Sequence, residues 1–236
     1  MIKKELHTYF SSPIGYLVIA LFIIINGLFL FVFKTEFNIL NSGFADLNSF
    51  FYLSPWVFIF IIPAITMRSF SDEIQSGTIE ILKTKPITNW QIVLGKFFSS
   101  MILVSVMILT SAIYIYTIYQ LGNPKGNIDF ANIIGSYLGL LFLSSSFVSI
   151  GLLTSTFSKN QIVAFILSVF FSFLIFYGFE FISDFSNNSN ILIKKIGMFE
   201  HFKSISRGVI DTRDLIYFLS ITSFFLILTK IKVEKL

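Results

Sequence analysis

At 236 residues, with 55% hydrophobic and only 13% charged side chains, the chain carries more apolar surface than a soluble fold of that length can hide. A lipid bilayer removes that constraint, and the absence of cysteine excludes disulfides and thiolate metal sites. The formal net charge of +4 is not a nucleic-acid footprint, because the cations flank apolar segments, where they set membrane orientation.

In chain order, Ile2, Leu6, Tyr9 and Phe10 recur at helical spacing, with Lys3, Lys4, Glu5 and His7 on the other faces. This predicts a short interfacial helix within 1–13, the alternative being a charged pre-membrane tail. His7 has no second histidine near it and reads as an interfacial side chain rather than a ligand. Ser12 is placed to cap the next helix and Pro13 to open it.

About 20 apolar residues cross the roughly 30 Å of a hydrocarbon core. Such runs fall at 14–33, 50–67, 97–119, 133–157, 162–182 and 215–229, predicting an all-α polytopic membrane protein with six transmembrane helices. The first run is too long for a signal-peptide core and no small-residue cleavage site follows it, so it reads as a retained helix. Within it, Asn26-Gly27 predicts a hydrogen bond between helices. Pro55 and Pro63 predict a kinked second span. The sixth run is short, so Lys230 is expected to snorkel.

Placing the N-terminus in the cytoplasm puts Lys3, Lys4, Arg68, Lys83, Lys85, Lys96, Lys159, Lys230, Lys232 and Lys235 there too. The shorter outer loops then hold Lys34 and Lys125. The segment 183–214 is the exception, with Lys194, Lys195, Lys203, Arg207 and Arg213. The expected topology is N-in and C-in.

The stretch 68–96, RSFSDEIQSGTIEILKTKPITNWQIVLGK, is long for an inert connection yet patterned. Ser69 precedes Asp72 in a capping-box-like start. Phe70, Ile74 and Ile81 are spaced to share one helical face, and Glu73 and Glu80 another, with Asp72 beside them. Thr88 and Gln91 form a second capping box that launches the third span. An amphipathic element with an acidic stripe suits a docking helix for a cytoplasmic partner, whereas acids facing an anionic leaflet are less natural.

The order of elements resembles the permeases of the ABC-2 type exporter family. The resemblance is carried by Arg68-Ser69-Phe70-Ser71-Asp72-Glu73, Gly77-Thr78-Ile79-Glu80-Ile81-Leu82, Pro86-Ile87 and Gly95-Lys96, with FKSISRGVIDTRDLIYF at 202–218. It covers essentially the whole chain and is greatest toward the gliding-motility-associated ABC permeases of bacteroidete bacteria. It implies residence in a bacterial inner membrane and a second permease protomer, identical or homologous. It also implies a coupling segment at 68–96 docked on a separate ABC ATPase through Asp72, Glu73, Gly77, Thr78, Glu80 and Leu82. A phosphate-cradling GxxxxGK[ST] loop is missing, since Trp90 stands where the motif before Gly95-Lys96 needs its first glycine. ATP is therefore expected on the partner, with no cofactor in this chain.

None of the six runs has an ionisable residue near its middle, which disfavours an ion-coupled carrier. Glu180 lies near the end of its run. The fourth run carries Gly135 and Gly139 in a GxxxG, followed by Ser144, Ser145, Ser146, Ser149, Gly151 and Ser155. Gly135, Gly139, Ser146 and Ser149 predict close helix packing or, alternatively, a hydroxyl-lined path. The 183–214 segment starts at the polar 186–190 and continues with Ile191, Leu192, Ile193, Ile196, Met198, Phe199 and Phe202. It reads either as an external interfacial loop or, by resemblance, as one that re-enters the outer leaflet. An enzyme is disfavoured: His7 and His201 supply no HExxH pair, and no GxSxG elbow occurs. The competitor to an exporter permease is a non-transporting scaffold of a motility or secretion complex.

Overall fold

Side chains that are mostly apolar leave the backbone to satisfy its own polar groups, and in lipid a helix does so within one segment. The computed structural model describes residues 2–84, 86–185, 191–208 and 211–235, and among them every regular element is helical. Helix α1 (Ile2–Ser11) is followed by α2 (Pro13–Gly27), which ends in a π-helical turn over Leu28–Val32. A short α3 (Ile39–Ser42) precedes α4 (Asn48–Thr66), α5 (Arg68–Gln75) and α6 (Thr78–Thr84). Next come α7 (Asn89–Thr110), α8 (Ile113–Leu121), α9 (Phe130–Ser155) and α10 (Gln161–Phe185). The chain closes with α11 (Ile191–Ile196), α12 (Met198–Ile205) and α13 (Thr212–Glu234). Among the described residues six helical stretches are long and apolar enough to cross a membrane: Pro13–Val32, Asn48–Gln75, Asn89–Leu121, Phe130–Ser155, Gln161–Ser183 and Thr212–Glu234.

Several of these stretches exceed the apolar runs because they begin or continue in polar sequence. Asp211 accepts from the Arg213 amide at 2.9 Å, so α13 starts before the apolar run does. At its other end Lys230 pairs with Glu234 at 3.0 Å and lies 5.8 Å from the Trp90 ring centre, so it is anchored on protein. The Thr88–Gln91 capping box forms as expected. The Ser69 cap does not, because α4 passes through Met67 in right-handed helical geometry straight into α5, leaving Ser69 inside a helix. Ser12 takes the cap position of α2, but its hydroxyl contacts Tyr9 O at 3.4 Å instead of the α2 amides. Helix α4 runs through Pro55 and Pro63.

Helix α9 is the centre of the bundle, packed against α4, α7, α10, α12 and α13, and its small residues account for that position. A Cβ on Gly135 would stand 3.0 Å from Ile205 O and from Gly208 Cα, and one on Gly139 3.3 Å from the Ile205 side chain. The GxxxG thus seats α12 and the turn after it. Ser145 and Ser146 reach the Thr222 hydroxyl of α13 at 3.0 and 3.3 Å, whereas Ser149 returns to Ser146 O at 2.7 Å. Asn26 also turns inward: its amide donates to Phe22 O at 2.8 Å within α2. The bond between helices at this level comes instead from Tyr114, whose hydroxyl donates to Ile23 O across the space that Gly27 leaves.

In the 183–214 connection, α12 buries Met198, Phe202 and Ile205 against the bundle. The His201 ring bonds Asp214 at 2.6 Å and stacks on Tyr217 at 3.9 Å, fastening α12 to the start of α13. The polar start expected at 186–190 lies outside the described residues.

Candidate coupling site

The termini of the bundle share one end, where α1, the α5–α6 elbow and the start of α7 meet. Helix α7 launches at the Thr88 cap and carries Lys96 two turns in, where apolar neighbours leave the side chain 2% exposed. Removing an ammonium from water requires partners. Lys96 has two: Glu5 Oε1 of α1 at 3.1 Å and Glu73 Oε1 of α5 at 2.8 Å. The Phe70 ring centre lies 5.1 Å from its nitrogen. One buried cation therefore ties three elements that are far apart in sequence.

Further contacts fix α1 over this junction. Ser99 donates to Ile2 O at 3.3 Å, and Tyr9 shares a hydrogen bond of 3.2 Å with Ser100. Burial pushes the Tyr9 phenol above its usual 10.0, so a neutral hydroxyl sits beside the ion pairs. A cavity of ≈ 280 Å³ lined by Glu5, Arg68, Asp72, Glu73 and Lys96 remains between α1 and the α4–α5 junction.

The elbow turns at Ser76-Gly77. Gly77 has φ +69°, a left-handed conformation that side chains disfavour, and Ser76 closes α5 by donating to Asp72 O at 2.7 Å. This corner corrects the expectation of one acidic stripe. Seven residues span two turns only along an unbroken helix, and the helix breaks between Glu73 and Glu80. Glu73 turns inward to Lys96, whereas Glu80 is exposed on α6.

The residues expected at the docking contact therefore divide. Gly77, Thr78 and Glu80 are exposed at the elbow. Leu82 is buried beside Ile79, and Asp72 accepts a hydrogen bond from the Gln161 amide of α10. Phe70 is buried and Ile74 half-buried, while the Ile81 side chain lies outside the described residues. Ser71 donates to Ser155 O at 3.0 Å, joining α5 to the end of α9. Lys96, counted in the sequence only among the cytoplasmic cations that set orientation, is the centre of the ion cluster. Its signal in the sequence was its place two turns inside a capped apolar helix, where a lysine requires a carboxylate.

Among the described residues no group of three or more His, Cys, Asp or Glu is arranged to hold a metal ion. Residues 1–230 match the family model described as ABC-2 family transporter protein. No individual curated protein matches the chain.

Proposed function

The chain belongs to the ABC-2 transporter family, and on that premise we propose that it is the permease subunit of an ATP-driven exporter, with ATP hydrolysed on a separate subunit. The observation that carries this reading is the elbow: an exposed Gly77-Thr78-Glu80 corner joined through Lys96 to α1 and α7, and through Ser71 to the central α9. A push on α6 reaches the bundle through fixed contacts rather than through a loose loop. In this reading the elbow end faces the cytoplasm of a bacterium and the protein resides in the inner membrane. A second protomer, identical or homologous, completes the pore. The resemblance to gliding-motility permeases suggests motility as the process served.

The test is co-purification and ATP turnover with the cognate ATPase. Glu80→Lys reverses the exposed charge, and close interfacial pairs couple by about 1.5–7 kcal/mol, so retention of the ATPase should fall about tenfold or more. Gly77→Val forces a β-branched residue into a left-handed turn and should act in the same direction. Normal retention and turnover in both variants would remove the elbow from the docking surface. Turnover that never responds to any transported compound would favour a scaffold instead.

Orientation has its own check, aided by a sequence with no cysteine. Asn123→Cys and Lys159→Cys lie in exposed turns at opposite ends of the bundle. In intact cells the first should react with an impermeant maleimide and the second should not. The reverse pattern would invert the topology.

A further inference from the structure

At the end opposite the ion cluster, a cavity of ≈ 290 Å³ lies between α4 and α12 over the start of α9. Its apolar wall is Phe51, Pro55 and Phe202. Its polar rim holds Lys203, Arg207 and Asn132, and among the described residues no carboxylate lines it. Lys203 rests near the Phe199 ring, 6.0 Å from its centre, and neither cation has a carboxylate within ion-pair distance among the described residues. The Asn132 amide nitrogen has only a long 3.5 Å contact to Asn48, which leaves donor capacity facing the same rim.

The arrangement is built rather than incidental. Gly208, at φ +82°, presses the turn after α12 onto α9, where a Cβ would stand 3.0 Å from the Asn132 backbone nitrogen. The Ser136 hydroxyl lies 3.2 Å from Ser206 O and 3.1 Å from Asn132 Oδ1, its single proton serving one or shared between them, so it ties the turn to the asparagine. These contacts fix the turn that carries Arg207 and the asparagine beside it, at the mouth of an aromatic slot whose volume lies at the lower end of small-ligand sites.

We propose that this cavity binds an amphiphile with a phosphate head, its head on Lys203, Arg207 and Asn132 and the first carbons of its tail against Phe51 and Phe202. Phosphate suits the rim because guanidinium and ammonium both bond it with charge assistance, while a cationic or zwitterion-free neutral head leaves two like charges uncompensated. A tail is required because a bare anion would leave the aromatic wall unfilled. The ligand is either a bilayer phospholipid that stays with the protein or a phosphorylated amphiphile in transit. Only the second identity rests on the exporter reading.

The experiment uses the full chain purified in neutral detergent, without the ATPase, titrated with dodecyl phosphate. Saturable binding is expected, with affinity falling roughly tenfold for each of Lys203→Gln and Arg207→Gln. The swap Lys203→Arg with Arg207→Lys should keep most of the affinity, and Lys159→Gln, in an exposed turn at the opposite end of the bundle, should change nothing. Inorganic phosphate and dodecyl trimethylammonium should bind far more weakly. Equal binding of either control compound, or an unchanged affinity in the folded Lys203→Gln/Arg207→Gln protein, overturns the proposal. Native mass spectrometry separates the sources: a retained phospholipid lost in the double variant identifies a resident lipid, and an empty wild-type site that fills with dodecyl phosphate identifies a transient ligand. Failure of binding leaves the ATPase co-purification result untouched, and failure of co-purification leaves the binding result untouched.

Discussion

Lys96→Met is expected to destabilise the protein by about 3–5 kcal/mol, the cost of removing one partner from a buried ion pair. Methionine keeps the length and most of the packing of the lysine stem, so the charge is the main loss. Glu5 and Glu73 would then face each other across one site with no cation, and Glu73 Oε2 is already buried without a hydrogen bond in the wild-type protein. Their side chains are 15% and 17% exposed, so water relieves part of the cost and places the effect toward the lower end of that range. The triple variant Glu5→Gln/Lys96→Met/Glu73→Gln should recover most of the loss, because no uncompensated charge remains. The measurements are the denaturation midpoint in detergent and trypsin cleavage at Lys3 and Lys4. Should Lys96→Met match the wild type in both, the ion cluster does not clamp α1.

The same cluster marks where the sequence was legible and where it was not. The six spans could be read because each needs only a long apolar run, and a run is a local property. The Thr88 capping box was equally local, as its two partners are three residues apart. What escaped was non-local or depended on one backbone torsion. Lys96 meets Glu5 and Glu73 only after three helices converge. The acidic stripe failed at a single left-handed glycine, which turns a spacing of seven from alignment into separation. The supposed Ser69 cap failed because continuation of α4 through Met67 outweighed a favourable cap sequence. Asn26 turned its amide nitrogen to its own helix and left Oδ1 without a partner among the described residues, and the neighbouring glycine instead gave room to Tyr114. At the candidate site, which of the named residues face outward is set by the corner at Gly77.

Gly151→Leu should prevent assembly of the bundle, and Gly151→Ala should lower its stability although alanine is the better helix former. Two effects oppose each other in the alanine variant. Replacing glycine within a helix gains up to about 1 kcal/mol from backbone entropy. Against it, a Cβ on Gly151 would overlap the Thr66 hydroxyl of α4, stand 2.9 Å from Thr66 Cβ and lie 3.2 Å from the Ser168 hydroxyl of α10. Both neighbours are fully buried, and Thr66 is held by its hydrogen bond to Ile62 O at 3.0 Å, so neither yields freely. Overpacking of this kind costs about 1–3 kcal/mol, which exceeds the helix gain and makes the net sign unfavourable. Leucine adds three further carbons at the same point and has no room on either side. Thr66→Ala in the Gly151→Ala background should restore part of the loss, because it removes the overlapping oxygen but leaves the Cβ contact. Thermal denaturation in detergent distinguishes the cases, and a Gly151→Ala protein more stable than wild type would show that α4 and α9 separate readily. That separation would also loosen the link from the elbow to the bundle, since α4 continues into the elbow helix α5 and α9 receives the Ser71 hydrogen bond. In the proposed reading, a tight α4–α9 contact would carry a displacement of the elbow into both helices together.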